Sequence, residues 1–214
     1  MTNDSNYQGI KNVIGEDATS ILSSLEKEWK EMCGDELRPS NSGLDPLKME
    51  DTLPFAFVLK RTGAGASLFR VAGQKVHDLF FEDLSGRNFA SLFAPASAET
   101  AAELMDAAFT LPAITSFSVV AKRSLGRRPV RGQIILLPMR DPQGDVSRIL
   151  GAVVTDGTAC PHPLRFEIDH TQPIRCDQQN LPKTDIRERL RKSLDVPQMA
   201  APKRSYLRLV VNNA

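Results

Sequence analysis

The sequence lacks a strong net charge, a long apolar run and a recognisable leader, and each absence excludes a class of protein. The formal net charge of the 214-residue chain is +1, so no global field favours nucleic acid or an anionic membrane. No apolar segment approaches the roughly 20 residues that span a bilayer. Residues 1–12 are polar and lack the apolar core of a signal peptide. We therefore expect a cytoplasmic protein that does not bind membranes.

Patterns that would carry catalysis or bind a metal are also missing. Cys33, Cys160 and Cys176 are widely spaced and odd in number, which argues against a disulfide framework and provides no CxxC pair for zinc. There is no GxSxG, HExxH or P-loop motif. Gly63 and Gly65 lack the third glycine and the following helix of a dinucleotide site. The sequence therefore predicts a protein that is not an enzyme and that has no metal site.

An amphipathic helix is predicted at residues 17–33, because apolar side chains recur there at steps of three and four. Gly34 is a natural end. Since the stripe holds the only tryptophan of the chain, we expect it to be buried, either on its own domain or against a second copy in a homodimer. The stripe consists of Ile21, Leu22, Leu25, Trp29 and Met32, and the candidate interface residues are Ile21, Leu22, Leu25 and Trp29.

Residues 53–156 have the pattern of an antiparallel sheet with helices on one face. Alternating apolar residues predict five strands, and an Ala-rich helix at residues 96–110 follows two or three short helical turns within residues 73–93. The predicted strands are residues 54–61, 68–72, 115–123, 130–139 and 148–155. In the third strand, Phe117 and Val119 are expected to point inward and Ser116 and Ser118 outward. The fold class is therefore α+β, with a five-stranded antiparallel sheet.

The composition divides the chain into four parts. They are a disordered N-terminus (1–16), an N-terminal helix and loop (17–52), the sheet-and-helix core (53–156) and a C-terminal extension (157–214). The extension is too polar for a second core, so we expect it to be extended or docked on the sheet. Within it, residues 185–194 suit a short basic helix, and residues 206–211 suit a strand.

The order of elements is that of a PAS domain, and local residues sharpen the likeness. The matching positions are Trp29, Pro39-Ser40, Asp45-Pro46, Leu53-Pro54, Phe57, Phe69 to Gly73, Leu84 to Arg87, Leu137-Pro138, Gly151-Ala152 and the tail from Tyr206 to Val210. On these residues the chain resembles the alphaproteobacterial single-domain PAS family, the PAS_5 group, formerly a domain of unknown function. The chain departs from the family at Asn41 and Gly43, where Arg and Asp are usual. A glycine usual before the Leu-x-Gly motif is replaced within Phe80-Phe81-Glu82.

The resemblance implies a non-enzymatic regulator that acts through partner proteins, including ones tied to motility and cell-cycle signalling. The expected partner is a signalling protein, for instance a histidine kinase or another regulator. Haem is disfavoured because the expected ligand helix has no histidine, which leaves His77 as a surface or hydrogen-bonded residue. A cysteinyl-flavin site is disfavoured because Gly86 to Phe89 contains no cysteine. The sequence identifies no cofactor.

A cleft between the sheet and the short helices is the expected site for a small apolar ligand. Arg70 would supply a polar contact. The predicted lining is Phe57, Phe69, Phe89, Leu104, Phe117, Val119, Ile134 and Leu136. The alternative is a fully packed core without a ligand, which would serve as a docking surface, and the sequence leaves the two open.

Nucleic-acid binding is a third function class. It would use Arg127, Arg128, Arg189 and Arg191. We consider it disfavoured because no aromatic side chains interleave with these charges.

Overall fold

The computed structural model describes residues 14–33, 49–62, 66–111, 113–123, 127–141, 145–157, 162–178 and 209–210. The predicted polar N-terminus up to residue 13, most of the loop after the first helix and the basic helix at 185–194 lie outside the described residues. In the described parts of the chain, no helix combines the length and apolar character needed to cross a membrane.

The elements follow the predicted order. The helices are α1 (Glu16–Cys33), α2 (Gln74–Phe80) and α3 (Pro95–Thr110), with short 3-10 turns at Leu53–Phe55 and Phe89–Leu92. The core strands are β1 (Ala56–Thr62), β2 (Ala66–Ala72), β3 (Ala113–Ala121), β4 (Val130–Arg140) and β5 (Val146–Thr155). The extension adds β6 (Glu167–Ile168), β7 (Ile174–Gln178) and β8 (Leu209–Val210). The predicted five-stranded antiparallel sheet is therefore confirmed, and the sheet is larger than predicted.

The extension closes one edge of the five-stranded sheet. The strand order is β2-β1-β5-β4-β3-β7-β8, and β6 also pairs with β3. Residues Ala113–Ser116 of β3 pair with β7, and Val119–Val120 pair with β6. An uncovered edge strand would present a row of unpaired amide and carbonyl groups, so the extension gives β3 its second neighbour. The expectation that this segment docks on the sheet agrees with this arrangement.

Apolar side chains are buried on both faces of the sheet. The front face packs against α2 and α3, and the back face packs against α1. On the back face Trp29 is 1% exposed, and its indole Nε1 donates a hydrogen bond to the carbonyl oxygen of Pro138 at 3.1 Å. The stripe of α1 is thus covered by the chain's own sheet, which is one of the two alternatives that the sequence left open.

The polar residues of β3 are a correction to the predicted pattern. Ser116 and Ser118 were expected to face outward, but both are buried. The Oγ of Ser118 donates to Gln133 Oε1 at 2.7 Å, and Gln133 Nε2 donates to Ser116 Oγ at 3.4 Å. The alternation itself is retained, because these residues occupy the face opposite Phe117. That back face is simply not open to solvent here.

Candidate functional site

The predicted cleft residues converge in one apolar cluster between the sheet and the front helices. Seven of them are exposed by 1% or less, and Leu104 is half-buried against the same cluster. The fully buried members are Phe57, Phe69, Phe89, Phe117, Val119, Ile134 and Leu136. Sequence periodicity therefore selected residues that do lie together.

Aromatic rings fill the space that these residues surround. The ring centroids of Phe57 and Phe69 are 5.3 Å apart, and those of Phe57 and Phe89 are 6.0 Å apart. The chain of rings continues from Phe89 to Phe93 at 5.3 Å and from Phe93 to Phe166 at 6.3 Å. These distances are typical of directly packed aromatic pairs. Phe166 belongs to the extension, so a residue outside the predicted core completes the packing.

The contact between β5 and Phe57 shows how tight this packing is. A Cβ placed on Gly151 would lie 2.4 Å from two ring carbons of Phe57. Real Cβ atoms do not approach other carbons so closely, so the ring occupies the room that a methyl group would need. Glycine is required at position 151 for this close approach, and the ring of Phe57 lies directly against the backbone of β5.

Arg70 does not line this cluster. Phe69 pairs with Leu59, and Val71 pairs with Val58, so Arg70 is the unmatched residue of a bulge between β1 and β2. Arg70 is exposed, whereas Phe69 is 1% exposed. The polar contact predicted for Arg70 inside a cleft is therefore not found, because successive side chains of a strand point to opposite faces and Phe69 occupies the buried one.

A surface feature that the sequence analysis did not select lies at the end of α2. Phe81 takes a left-handed conformation, with φ of 55° and ψ of 28°, and its amide donates to the carbonyl of His77 at 2.8 Å. Its side chain is 58% exposed, whereas the neighbouring Phe80 is 2% exposed. The turn thus sends two consecutive aromatic rings in opposite directions. Phe81 lies in the segment where the family resemblance predicts a glycine. That departure is the sequence feature from which this surface could have been selected.

An open groove of about 1080 Å³ runs beside α2 and the end of β5, and Phe81 forms part of its wall. Phe55, Leu79 and Val153 supply further apolar lining. Its other lining residues are Gln74, Lys75, His77, Asp78, Glu82, Asp83, Thr155 and Gly157. Among the described residues of the lining, three carboxylates stand against one ammonium group, which gives this part of the groove a negative balance.

His77 is held by the backbone at one end of this groove. Its Nδ1 lies 3.3 Å from the amide nitrogen of Leu84 and 3.1 Å from the carbonyl oxygen of Glu82. These contacts fix the imidazole against the loop that follows α2. Among the described residues there is no group of three or more His, Cys, Asp or Glu side chains placed to hold a metal ion.

A network of ion pairs joins α1 to the extension. Glu26 is 0% exposed, and its carboxylate accepts hydrogen bonds from both Nη1 and Nη2 of Arg175, at 2.6 and 2.9 Å. Lys30 approaches the same carboxylate at 2.7 Å, and Arg175 Nε donates to Asp177 at 2.6 Å. We call Glu26 and Arg175 the clasp. It fastens the N-terminal helix to β7 across the back of the sheet.

The two described cysteines are poorly suited to redox chemistry. Burial raises the pKa of the Cys33 thiol to about 11, although Arg140 and Lys30 oppose the shift. Burial also raises the pKa of Cys176. A thiolate is the reactive form of cysteine, so neither side chain is activated.

The predicted basic cluster is only partly described. Arg127 and Arg128 are exposed before β4, while Arg189 and Arg191 lie outside the described residues.

The chain is distantly similar to a light-oxygen-voltage domain studied with a flavin analogue, at 18% identity and a TM-score of 0.40, over 50% of this chain and 80% of that chain. It is similar to the light state of the blue-light photoreceptor Aureochrome1 LOV at 17% identity and a TM-score of 0.38, over 47% of this chain and 80% of that chain. It is also similar to a sensory box sensor histidine kinase from Vibrio cholerae at 17% identity and a TM-score of 0.35, over 51% of this chain and 86% of that chain. No curated protein matches the chain. The family model described as PAS domain, PAS_5, matches residues 18–154. The chain therefore belongs to the PAS domain family.

Proposed function

We propose that this PAS-domain protein is a non-enzymatic adaptor that regulates signalling by docking partner proteins, and that its core holds no ligand. The observation that carries the proposal is the set of contacting phenylalanine rings between the sheet and the front helices. A ligand-gated sensor would need room in that space, and Phe57 packed on Gly151 leaves none at the sheet floor.

Surface features support a docking role for the outside of the same domain. A folded chain gains stability by burying large apolar side chains, yet Leu53, Val71 and Phe81 are 39%, 57% and 58% exposed. Of these three residues Phe81 lines the groove, and an exposed apolar surface next to a groove is typical of protein interaction sites. Membership of the PAS domain family supports the signalling role.

The core is tested by native mass spectrometry of freshly purified protein, with an absorption spectrum of the same sample. The proposal predicts the mass of the polypeptide alone and no absorbance above the protein band. Extra mass that leaves on denaturation would contradict the packed-core reading and favour a ligand-gated sensor.

The adaptor role is tested by cross-linking the tagged full-length chain in the cells that express it. Quantitative mass spectrometry should then show a signalling protein, such as a histidine kinase or another regulator, enriched over cells that express the tag alone. If no protein is enriched, the adaptor proposal fails.

A further inference from the structure

Phe81 has an unusual backbone conformation at the end of α2. A left-handed residue at a helix end is ordinarily glycine or asparagine, because a Cβ is disfavoured at positive φ. The chain instead places there a phenylalanine whose side chain is 58% exposed. The positive φ is unfavourable for phenylalanine, and the exposed ring adds little burial of apolar surface to the native fold. Among the described residues, the ring packs on no other aromatic ring. A contact between Phe81 and another molecule would therefore explain this residue better than the packing of the fold does.

The groove beside this ring has the apolar wall that a docked side chain would need. Leu79 is half-buried on α2, Val153 is 2% exposed on β5, and both line the groove with Phe55 and Phe81. Aromatic residues, phenylalanine among them, are enriched at protein interfaces relative to the rest of the surface.

The rim of the groove is acidic. Asp78, Glu82 and Asp83 contribute three carboxylates, and Lys75 contributes one ammonium group. Glu82 is paired with Arg87 at 2.6 Å, so Asp78 and Asp83 dominate the field that a partner would meet. Charge complementarity therefore selects a partner with basic residues around an apolar anchor.

We propose that the groove beside Phe81 docks a basic amphipathic segment of a partner protein, in which an apolar side chain is flanked by lysine or arginine. The proposal rests on the adaptor role argued above, and it assigns that role to a particular surface. The apolar anchor would contact Phe81, Leu79 and Phe55, while the flanking cations would face Asp78 and Asp83.

The probe is a fluorescein-labelled amphipathic peptide with leucine on one helical face and lysine on the other. A second peptide has the same leucines with glutamate in place of every lysine. We expect the full-length chain to bind the lysine peptide and not the glutamate peptide in fluorescence anisotropy. Added salt should weaken this binding, and hydrogen exchange should show protection at residues 74–83.

Variants distinguish binding in the groove from nonspecific binding elsewhere on the surface. Phe81→Gly suits the positive φ, so the fold should persist while affinity for the lysine peptide falls about tenfold or more. The matched control is Val71→Thr, which removes a similarly exposed apolar residue outside the groove lining. Asp78→Asn should weaken binding severalfold, whereas Glu99→Gln, an exposed carboxylate outside the groove lining, should not.

The inference is overturned if the lysine peptide does not bind, if both peptides bind equally, or if Phe81→Gly binds as wild type does. Its failure is distinguishable from failure of the adaptor role. If the partner recovered by cross-linking is retained equally by Phe81→Gly, the groove is wrong and the adaptor role stands. If the wild-type chain enriches no partner, the adaptor role itself fails.

Discussion

Arg175 in the C-terminal extension donates two hydrogen bonds to the fully buried carboxylate of Glu26 in the N-terminal helix. The two residues are 149 positions apart in sequence. The paired guanidinium and carboxylate geometry is among the stronger polar contacts in proteins. The clasp therefore couples the two segments that flank the PAS core.

Breaking the clasp on one side should destabilise the fold. Arg175→Met leaves a buried carboxylate with Lys30 as its described cationic partner, and we expect a loss of about 3 kcal/mol in the free energy of unfolding. Glu26→Leu should cost a similar amount. Replacing both residues should cost less than the sum of the single changes, because each single change already removes the bond that the two residues share. Urea unfolding measures all three.

The control for the clasp lies on the same helix. Lys27 and Glu31 form an ion pair at 3.7 Å, with side chains 71% and 63% exposed. Lys27→Met should change the free energy of unfolding by no more than about 0.5 kcal/mol. Equal effects at Arg175 and Lys27 would show that the clasp adds nothing beyond a surface ion pair.

Trp29 distinguishes packing on the chain's own sheet from dimerisation. Because its ring is 1% exposed and bonded to Pro138, Trp29→Ala should lower the free energy of unfolding by about 3–5 kcal/mol. Sedimentation velocity should show the same oligomeric state as wild type. A stable variant that turns from dimer to monomer would instead support the homodimer alternative for Ile21, Leu22, Leu25 and Trp29.

Phe81→Gly should leave the fold intact or stabilise it. Relief of the positive-φ strain offsets the greater freedom of glycine in the unfolded chain, so we expect a change between zero and about 1 kcal/mol in favour of the native state. Phe80→Ala is the contrasting variant, because Phe80 is 2% exposed and packs edge-on against Phe166 at 5.4 Å. It should cost about 3–5 kcal/mol. Thermal and urea unfolding would contradict this interpretation if the two variants behaved alike.

Cys33 should make stability depend on pH in the alkaline range. Its pKa is raised from 9.0 to about 11 by burial, so the folded state favours the protonated thiol, whose Sγ donates to the carbonyl of Trp29 at 3.2 Å. This contribution is complete below pH 9 and is lost as the pH rises from 9 towards 11. Wild type should therefore lose stability in that window more steeply than Cys33→Ala.

Reactivity of the same thiol gives an independent measurement. At pH 8, iodoacetamide should label the Cys33 peptide more slowly in the folded chain than in urea, as followed by mass spectrometry. Equal rates in the two states would show that the thiol is not protected.

Local patterns were sufficient to predict the first helix and the elements of residues 53–156, but not strands β6 and β7, which the extension adds. The three- and four-residue spacing of Leu22, Leu25 and Trp29 places them on one helical face, and the alternation of Phe117 and Val119 places them on one face of a strand. Both patterns follow from the geometry of a single element, so neither needs knowledge of the partner surface. The shared face of Ile134 and Leu136 in β4 could be predicted for the same reason.

Only the tertiary structure decided which surface each helix or strand face packs against. The sequence could not show that Trp29 packs on the chain's own sheet, that Phe166 from the extension completes the aromatic core, or that Glu26 is buried beside Arg175. Such relationships join residues far apart in the chain, and no local period encodes them. The exposure of Phe81 is similar, because a left-handed turn at one residue determines which of two adjacent phenylalanines enters the core and which faces the solvent.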